Sequence, residues 1–278
     1  MTRYAETKVC AVMVTYNGGG ITPAVAALLP QVDHLILVDN GSDPASRAVL
    51  ETLAARPSVT LLSLGENLGQ AAALNRGWRE ARRLGFPLVL TMDQDSRLAE
   101  GCVSALLSAL AAGADSAGPC YTGIRQRRAI QRVRYLITSG QLLKTADLER
   151  VGGYTEALFI DSVDFDLSLR LREAGCRLVR VRDAGMTHAI GEAERDARGH
   201  TVYSHTVQRH YTMARNHYYI LRRFFRTDPV FCLKKHLAYL KSLLDTAREP
   251  DARAKFAARR QGRKAAGTII KGSIEREP

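Results

Sequence analysis

Two aspartates stand one residue apart where an apolar run ends. "PLVLTMD", residues 87–93, continues as "QDS", so Asp93 and Asp95 emerge together. Carboxylates at i and i+2, released from a buried strand into a turn, can share one divalent cation, for which hard oxygen ligands are suited. Other uses of such a pair exist. A capped turn employs Asp and Ser at these positions for hydrogen bonding alone. A phosphatase would use the pair as nucleophile and acid. A calcium-binding helix–loop–helix begins the same way but is excluded here, because Leu98 stands where that loop needs Gly and Ser104 where it needs Glu. A second acidic group, "FIDSVDFDLSLR" at 159–170, offers Asp161, Asp164 and Asp166, carboxylates suited to acid–base work, with Asp166 four residues before Arg170 for a helical ion pair.

The elements that must position these groups alternate along the first half of the chain. β-rich runs at 9–15, 34–39, 59–64 and 87–93 are separated by helical patterns at 22–30, 44–56 and 69–85, and another follows at 99–113. That alternation predicts βαβ units and a mostly parallel sheet. Polar residues fall at the strand ends, Thr15, Asp39, residues 65–67 and Asp93, and in such sheets ligands bind outside the carboxyl ends of the strands. The arginine-rich stretch 121–135 reads as a loop or edge hairpin. A short helix ends within 148–154, and a further one spans 162–175, closing at Gly175. From residue 207 the patterns are helical, at 207–225, 229–244 and 251–262.

A chain of 278 residues with 46% hydrophobic and 24% charged content can build a core without crosslinks. Its five cysteines are scattered, form no C-x-x-C pair, and suggest neither a disulfide framework nor a zinc knuckle, which fits a reduced cytoplasm. No run approaches the roughly 18 apolar residues that a membrane span requires. The net charge of +12 is unevenly placed. Residues 1–206 hold 23 Lys and Arg against 22 Asp and Glu, whereas residues 207–278 hold 17 against 6, so eleven of the twelve excess charges lie in the last quarter. The expected organisation is an α/β domain over 1–206, in two halves 1–100 and 101–206, followed by a helical basic region over 207–278.

Taken together, the strand-end segments are more specific than the D-x-D alone. "TYNGGG" (15–20), "DNGSDP" (39–44), "ENLGQAAALNRG" (66–77), "MDQDS" (92–96) and "SVDFDLSLR" (162–170) follow one another in an order that resembles the family-two glycosyltransferases of the GT-A fold. Within them the chain is similar to bacterial rhamnosyltransferases that use a nucleotide-diphospho-rhamnose donor, over roughly residues 8–225. The resemblance implies a Rossmann-like, mostly parallel α/β sheet with helices on both faces, and an inverting, metal-dependent transfer of L-rhamnose from dTDP-β-L-rhamnose to a cell-surface polysaccharide or lipid-linked glycan. It implies that Thr15, Tyr16 and Asn17 hold the nucleotide, that Asp39 accepts from the base, and that Asn67, Gly69 and Asn75 line the donor site. Asp93 and Asp95 would hold Mg²⁺ or Mn²⁺, with Gln94 between them beside the donor and His188 completing the metal or diphosphate site. Asp164 would be the general base, in a position where many relatives carry Glu-Asp and this chain has Val163-Asp164. Asp161, one helical turn earlier, would bind acceptor or tune the base. Ser139 and Gly140 would line the acceptor side, and Arg209 and Arg215 would grip the diphosphate.

In the basic region, Val230, Leu233, Leu237, Leu240 and Leu244 repeat at 3, 4, 3, 4, with Lys234, Lys235 and Lys241 off the stripe. Such a helix either packs on its own domain or docks on anionic lipid, which would suit a cytoplasmic enzyme peripheral to the inner membrane face with a polyprenyl-diphosphate-linked acceptor. Nucleic acid is disfavoured, since the basic segment lacks a reading motif. The rival functions are transfer from a UDP- or GDP-linked sugar, a D-x-D phosphatase, and a non-catalytic binding protein.

Overall fold

The computed structural model describes residues 7–18, 20–188, 194–195, 201–202 and 206–274. The chain divides into two compact units, Met1–Phe159 with Val163–His188, and Ile160–Ser162 with Ala189–Pro278.

The first unit is a mixed α/β layer structure. In chain order its elements are β1 Val9–Thr15, α1 Thr22–Leu28, β2 His34–Asp39, α2 Pro44–Ala54, β3 Val59–Ser63, α3 Gln70–Arg83, β4 Leu88–Asp93, β5 Ser96–Leu98, α4 Cys102–Ala111, β6 Ser116–Tyr121, β7 Ile130–Arg132, β8 Gln141–Lys144, α5 Thr145–Arg150, α6 Val163–Glu173 and β9 Leu178–His188. The sheet runs β3-β2-β1-β4-β8-β6-β9-β5, with β7 pairing β9. β1 pairs β2 and β4 in parallel and β2 pairs β3 in parallel, so all four carboxyl ends meet at one edge.

The apolar runs explain both faces. Alternate strand residues Ala11, Met13, Leu35, Leu37, Leu88 and Leu90 form a core with Val25 and Leu28 of α1, Leu50 of α2, and Val103 and Leu106 of α4. The opposite face takes α3, where Gly77 lies so close to Val12 and Val38 that a Cβ there would overlap the Val12 side chain. Because both faces are covered, the strands read as continuous hydrophobic runs. α2 begins where Asp43 accepts from the Ser46 amide (2.8 Å) with Pro44 next, a capped start that needs no tertiary help.

The other half of the sheet was not legible. β5, β6, β8 and β9 lie in segments given no strand pattern, and the 121–135 stretch supplies only the three-residue β7, paired antiparallel to β9. β6 contains Gly118 and Pro119, poor strand formers, and exists because β8 and β9 flank it.

The second unit holds the two-residue strands β10 Glu194–Arg195 and β11 Thr201–Val202, and helices α7 Val207–Phe224, α8 Pro229–Thr246 and α9 Ala252–Ile274, the last extending well beyond its sequence pattern. Thr206 and Asp228 cap α7 and α8 through the Arg209 and Phe231 amides. Its interior combines apolar side chains, among them Ile220, Phe224, Phe231 and Ile269, with a buried polar cluster. His210, Glu249, Lys255 and Arg259 are buried together: Lys255 and His210 both meet Glu249 Oε2 (2.9 and 3.1 Å), and Arg259 Nε donates to His210 Nδ1 (3.0 Å). A buried charge network of this kind is tolerated because every member has a partner.

Candidate active site

The strand ends of the first unit are tied into one surface by their own polar groups. Tyr16 N donates to Gln94 Oε1 (2.9 Å) while Gln94 Nε2 donates to Tyr16 O (3.1 Å), clamping the loop after β1 to the D-x-D loop. Asn17, at φ +50°, donates its amide to Ser42 Oγ (3.0 Å) and accepts from the Asp43 amide (2.9 Å). Asn40 bridges onward: its amide donates to Thr15 O (2.8 Å), its Nδ2 to Asn67 Oδ1 (3.0 Å), and its Oδ1 accepts from Leu68 N (2.9 Å). Gln70 Nε2 then reaches Asp93 Oδ1 (3.0 Å), and the Asp93 amide donates to Ser139 Oγ (3.3 Å). Thr15, Tyr16, Asn17, Asp39, Asn67, Gly69, Asp93, Gln94, Asp95, Ser139 and Gly140 therefore fall along one edge. Asn40, Ser42 and Gln70, which sequence reasoning did not single out, are the connectors.

Asp39 is fully buried. One carboxylate oxygen accepts from Ser42 N (2.9 Å), whereas among the described residues Oδ2 has no hydrogen bond and its cationic neighbour is Arg47 Nε at 3.7 Å. A buried carboxylate oxygen left without a donor is costly, and it is a ready acceptor for a ligand N–H. Gly69 starts α3 at φ +87°, and a side chain there would run into the Phe159 ring and carbonyl. Phe159 itself sits at φ +65°, a conformation strained for a bulky residue, with its carbonyl accepting from Ala71 N (3.3 Å).

Asp164 lies in the first turn of α6, its Oδ1 accepting from Phe165 N (2.8 Å). Asp166 is buried and engaged by Arg170 (2.6 Å) and Thr155 (2.7 Å), the ion pair its spacing predicts. Tyr154 connects the two acidic groups. Its phenol is buried, and burial, with the Asp93 and Asp164 carboxylates nearby, pushes its pKa up. The adjacent Thr91 hydroxyl donates to Thr138 O (2.5 Å) and, beside the phenol, offsets part of that rise. Tyr121, at the end of β6, is likewise pushed up, first by burial and in part by Asp164. A cavity of about 710 Å³ opens there, with Arg97, Tyr121, Arg125, Arg182 and Met186 among its lining. Met186 Sδ lies 3.7 Å from Ser139 Oγ.

Three expectations change. Asn75 does not line an open site: it is buried, its Nδ2 donates to Tyr154 O and Glu156 Oε1 (both 2.8 Å), and its Oδ1 accepts from Trp78 Nε1 and Tyr154 N (both 2.8 Å). It anchors the 154–156 loop to α3. Asp161 is not on the helix of Asp164, since α6 begins at Val163 and both Asp161 and Ser162 have left-handed backbones (φ +63° and +65°). Within the second unit its carboxylate is held by Arg209 Nη2 and Nε (3.1 and 3.3 Å), and Asn216 donates to Ile160 O and Asp161 O (2.7 and 2.8 Å). Arg209 is thus committed to Asp161. Arg215, whose pKa burial lowers, donates to Asn216 Oδ1 (3.1 Å). His188 ends β9 in register with Ser96, and its side chain lies outside the described residues.

Asp93 and Asp95 present the hard oxygen donors a divalent cation takes. Among the described residues no third His, Cys, Asp or Glu completes a cluster with them. Such a half-shell fits a cation that takes its remaining ligands from a substrate diphosphate and water.

The model of glycosyl transferase family 2 matches residues 10–164, which span the strand-end loops, the D-x-D and Asp164. The chain belongs to that family. This glycosyltransferase is 28% identical over 243 residues to the dTDP-rhamnosyl transferase RfbF of Shigella flexneri, covering 78% of this chain and 81% of the relative. It is also 28% identical over 251 residues to the galactofuranosyltransferase GlfT1 of Mycolicibacterium smegmatis, covering 77% and 82%. Among solved structures, the mannosyltransferase PcManGT of Pyrobaculum calidifontis, in complex with GDP-Man and Mn²⁺, superposes with a TM-score of 0.60 at 17% identity, covering 99% of this chain and 82% of that one. The last likeness carries the GT-A architecture alone.

Proposed function

We propose that this glycosyltransferase moves L-rhamnose from dTDP-β-L-rhamnose, with inversion, to a cell-surface polysaccharide or lipid-linked glycan acceptor. The observation that carries the reading is the strand-end edge itself, where a buried Asp39 oxygen without a donor and the Asp93/Asp95 pair are joined by one hydrogen-bonded surface. The donor identity draws its support from the similarity to a dTDP-rhamnosyl transferase over most of both chains.

In this reading Asp39 Oδ2 accepts the imide N–H of thymine, and the loops of Tyr16, Asn17 and Asn67 hold the nucleoside. Asp93 and Asp95 would hold a Mg²⁺ or Mn²⁺ ion, which when bound would supply positive charge to the diphosphate. Asp164 takes the acceptor hydroxyl proton as that oxygen bonds to the anomeric carbon; the bond from carbon to diphosphate oxygen breaks and dTDP leaves with its electron pair. Ser139, Gly140 and the cavity beyond Tyr121 receive the acceptor. Arg97, Arg125 and Arg182 line that cavity, Arg182 paired with Asp183 (2.9 Å), and among the described residues no acid is in the lining, which favours an acceptor bearing negative charge, such as a polyprenyl-diphosphate-linked glycan. The enzyme works in the cytoplasm, peripheral to the inner face of the membrane that carries such an acceptor.

The test is release of dTDP by purified protein offered dTDP-rhamnose beside UDP- and GDP-sugars, with Mg²⁺ or Mn²⁺ and then with EDTA. The expected result is metal-dependent release from dTDP-rhamnose in preference to the others. Release from a UDP- or GDP-sugar instead would overturn the donor, and an EDTA-insensitive rate would overturn the metal.

A further inference from the structure

We infer that the outward face of α8 docks on an anionic lipid surface. The 3, 4, 3, 4 stripe would be the buried side of a helix packed on its own unit. The structure has it the other way round: Val230, Leu233, Leu237, Leu240 and Leu244 are 48, 57, 58, 44 and 64% exposed. α8 packs inward through a different face. Phe231, Cys232 and Thr246 are buried, Tyr239 stacks on His217 with centroids 4.2 Å apart, and the Arg259 guanidinium lies 5.1 Å from the Tyr239 ring. With its packing requirement met by that aromatic and polar face, the helix holds five large aliphatic side chains in water along about 20 Å of its length.

What covers the stripe follows from the charges beside it. Lys234 and Lys241 are exposed on α8, and just before it Arg222, Arg223 and Arg226 are exposed together with Phe225, which is 56% exposed. Asp245 is the one exposed acid on the helix, and Arg248 lies 3.6 Å from it. A second copy of this chain would set these cations against their own duplicates. A bilayer rich in anionic lipid accepts both the aliphatic stripe and the cations, with the helix lying in the interfacial plane. Spanning is not available to it, since among the described residues no helix is long and apolar enough to cross a membrane. The inference rests on the peripheral placement proposed above and names the surface responsible, independently of the donor sugar.

The experiment is flotation of the full chain with phosphatidylcholine vesicles, with and without about a third phosphatidylglycerol. Wild type, the triple variant L233S/L237S/L240S and the pair K234Q/K241Q are compared, and each is checked for molar mass and for dTDP release from dTDP-rhamnose. Wild type is expected to partition onto the anionic vesicles in a salt-sensitive manner. The triple variant should partition about a thousandfold more weakly, at roughly tenfold per buried leucine, and the lysine pair roughly tenfold or more, both with unchanged dTDP release. If wild type binds and the triple variant binds equally well, α8 is not the surface and the peripheral reading survives. If wild type binds neither vesicle, both fall. A wild-type dimer that the triple variant breaks into monomers would assign the stripe to a second copy instead.

Discussion

The buried Asp39 oxygen allows a test in which ligand binding and stability move independently. Asp39→Asn changes one oxygen for an amide nitrogen and leaves the shape alone. The substituted side chain keeps its Oδ1 for the Ser42 amide (2.9 Å) and turns its NH₂ toward the place of Oδ2, which is buried and receives no hydrogen bond. In the ligand-free protein this removes a buried charge whose nearest cation, Arg47, is 3.7 Å away and about half exposed, so stability should hold or rise slightly. In the complex the thymine N–H would face a donor instead of a charged acceptor. Losing one hydrogen bond to a charged group costs roughly 2–3 kcal/mol, or roughly 30- to 150-fold in Kd. Calorimetric titration with dTDP and Mg²⁺, paired with urea unfolding of the ligand-free protein, reads both quantities. A variant that binds dTDP within about twofold of wild type would refute the assignment of Asp39 to the base. A variant that loses dTDP binding and several kcal/mol of stability together would refute the claim that its second oxygen awaits a ligand.

Asp164→Asn should lower transfer by about a hundredfold to ten-thousandfold, the range for a general base, with dTDP affinity held within about twofold; equal losses in both would mean that Asp164 shapes the donor site. Asn75→Ala removes partners from Tyr154, Glu156 and Trp78 at a buried position and should destabilise by roughly 2–4 kcal/mol in urea unfolding, while the folded fraction binds dTDP normally. Burial chiefly, and then His236, lower the pKa of His217 to about 4 from 6.5, and His210 is lowered too, with burial the main cause. Since the unfolded chain binds more protons between these values, stability is full above pH 6.5 and declines as pH falls toward 4, by about 3 kcal/mol from His217 at the lower end. Unfolding midpoints at pH 7 and pH 5 check this, and a His217→Gln variant should flatten the slope; an unchanged slope would remove His217 from the account.

The first half of the fold was legible because its signals are local. The strands from Val9, His34 and Leu88 are buried on both faces, so each appears as a largely apolar run ended by a polar residue, the half-buried edge strand from Val59 shows a shorter run, and Pro44 behind Asp43 marks a helix start without reference to anything distant. The same locality placed Thr15, Asp39, Asn67 and Asp93 on one edge, since parallel strands end together. It also returned the family and the separation of a basic helical tail from a near-neutral first part. What only the tertiary structure decided depends on partners far apart in the chain. β6, interrupted by Gly118 and Pro119, becomes a strand because β8 and β9 pair with it. Asn75 and Asp161 carry the residue types of a binding site, yet Tyr154 and Trp78 consume the hydrogen bonds of the first, and Arg209 holds the carboxylate of the second. Periodicity found the leucine stripe of α8 but could not say which way it faces, because a helix's apolar stripe turns inward only if no better packing face exists. Here Phe231, Cys232 and Tyr239 supply that face, and the leucines remain in solvent.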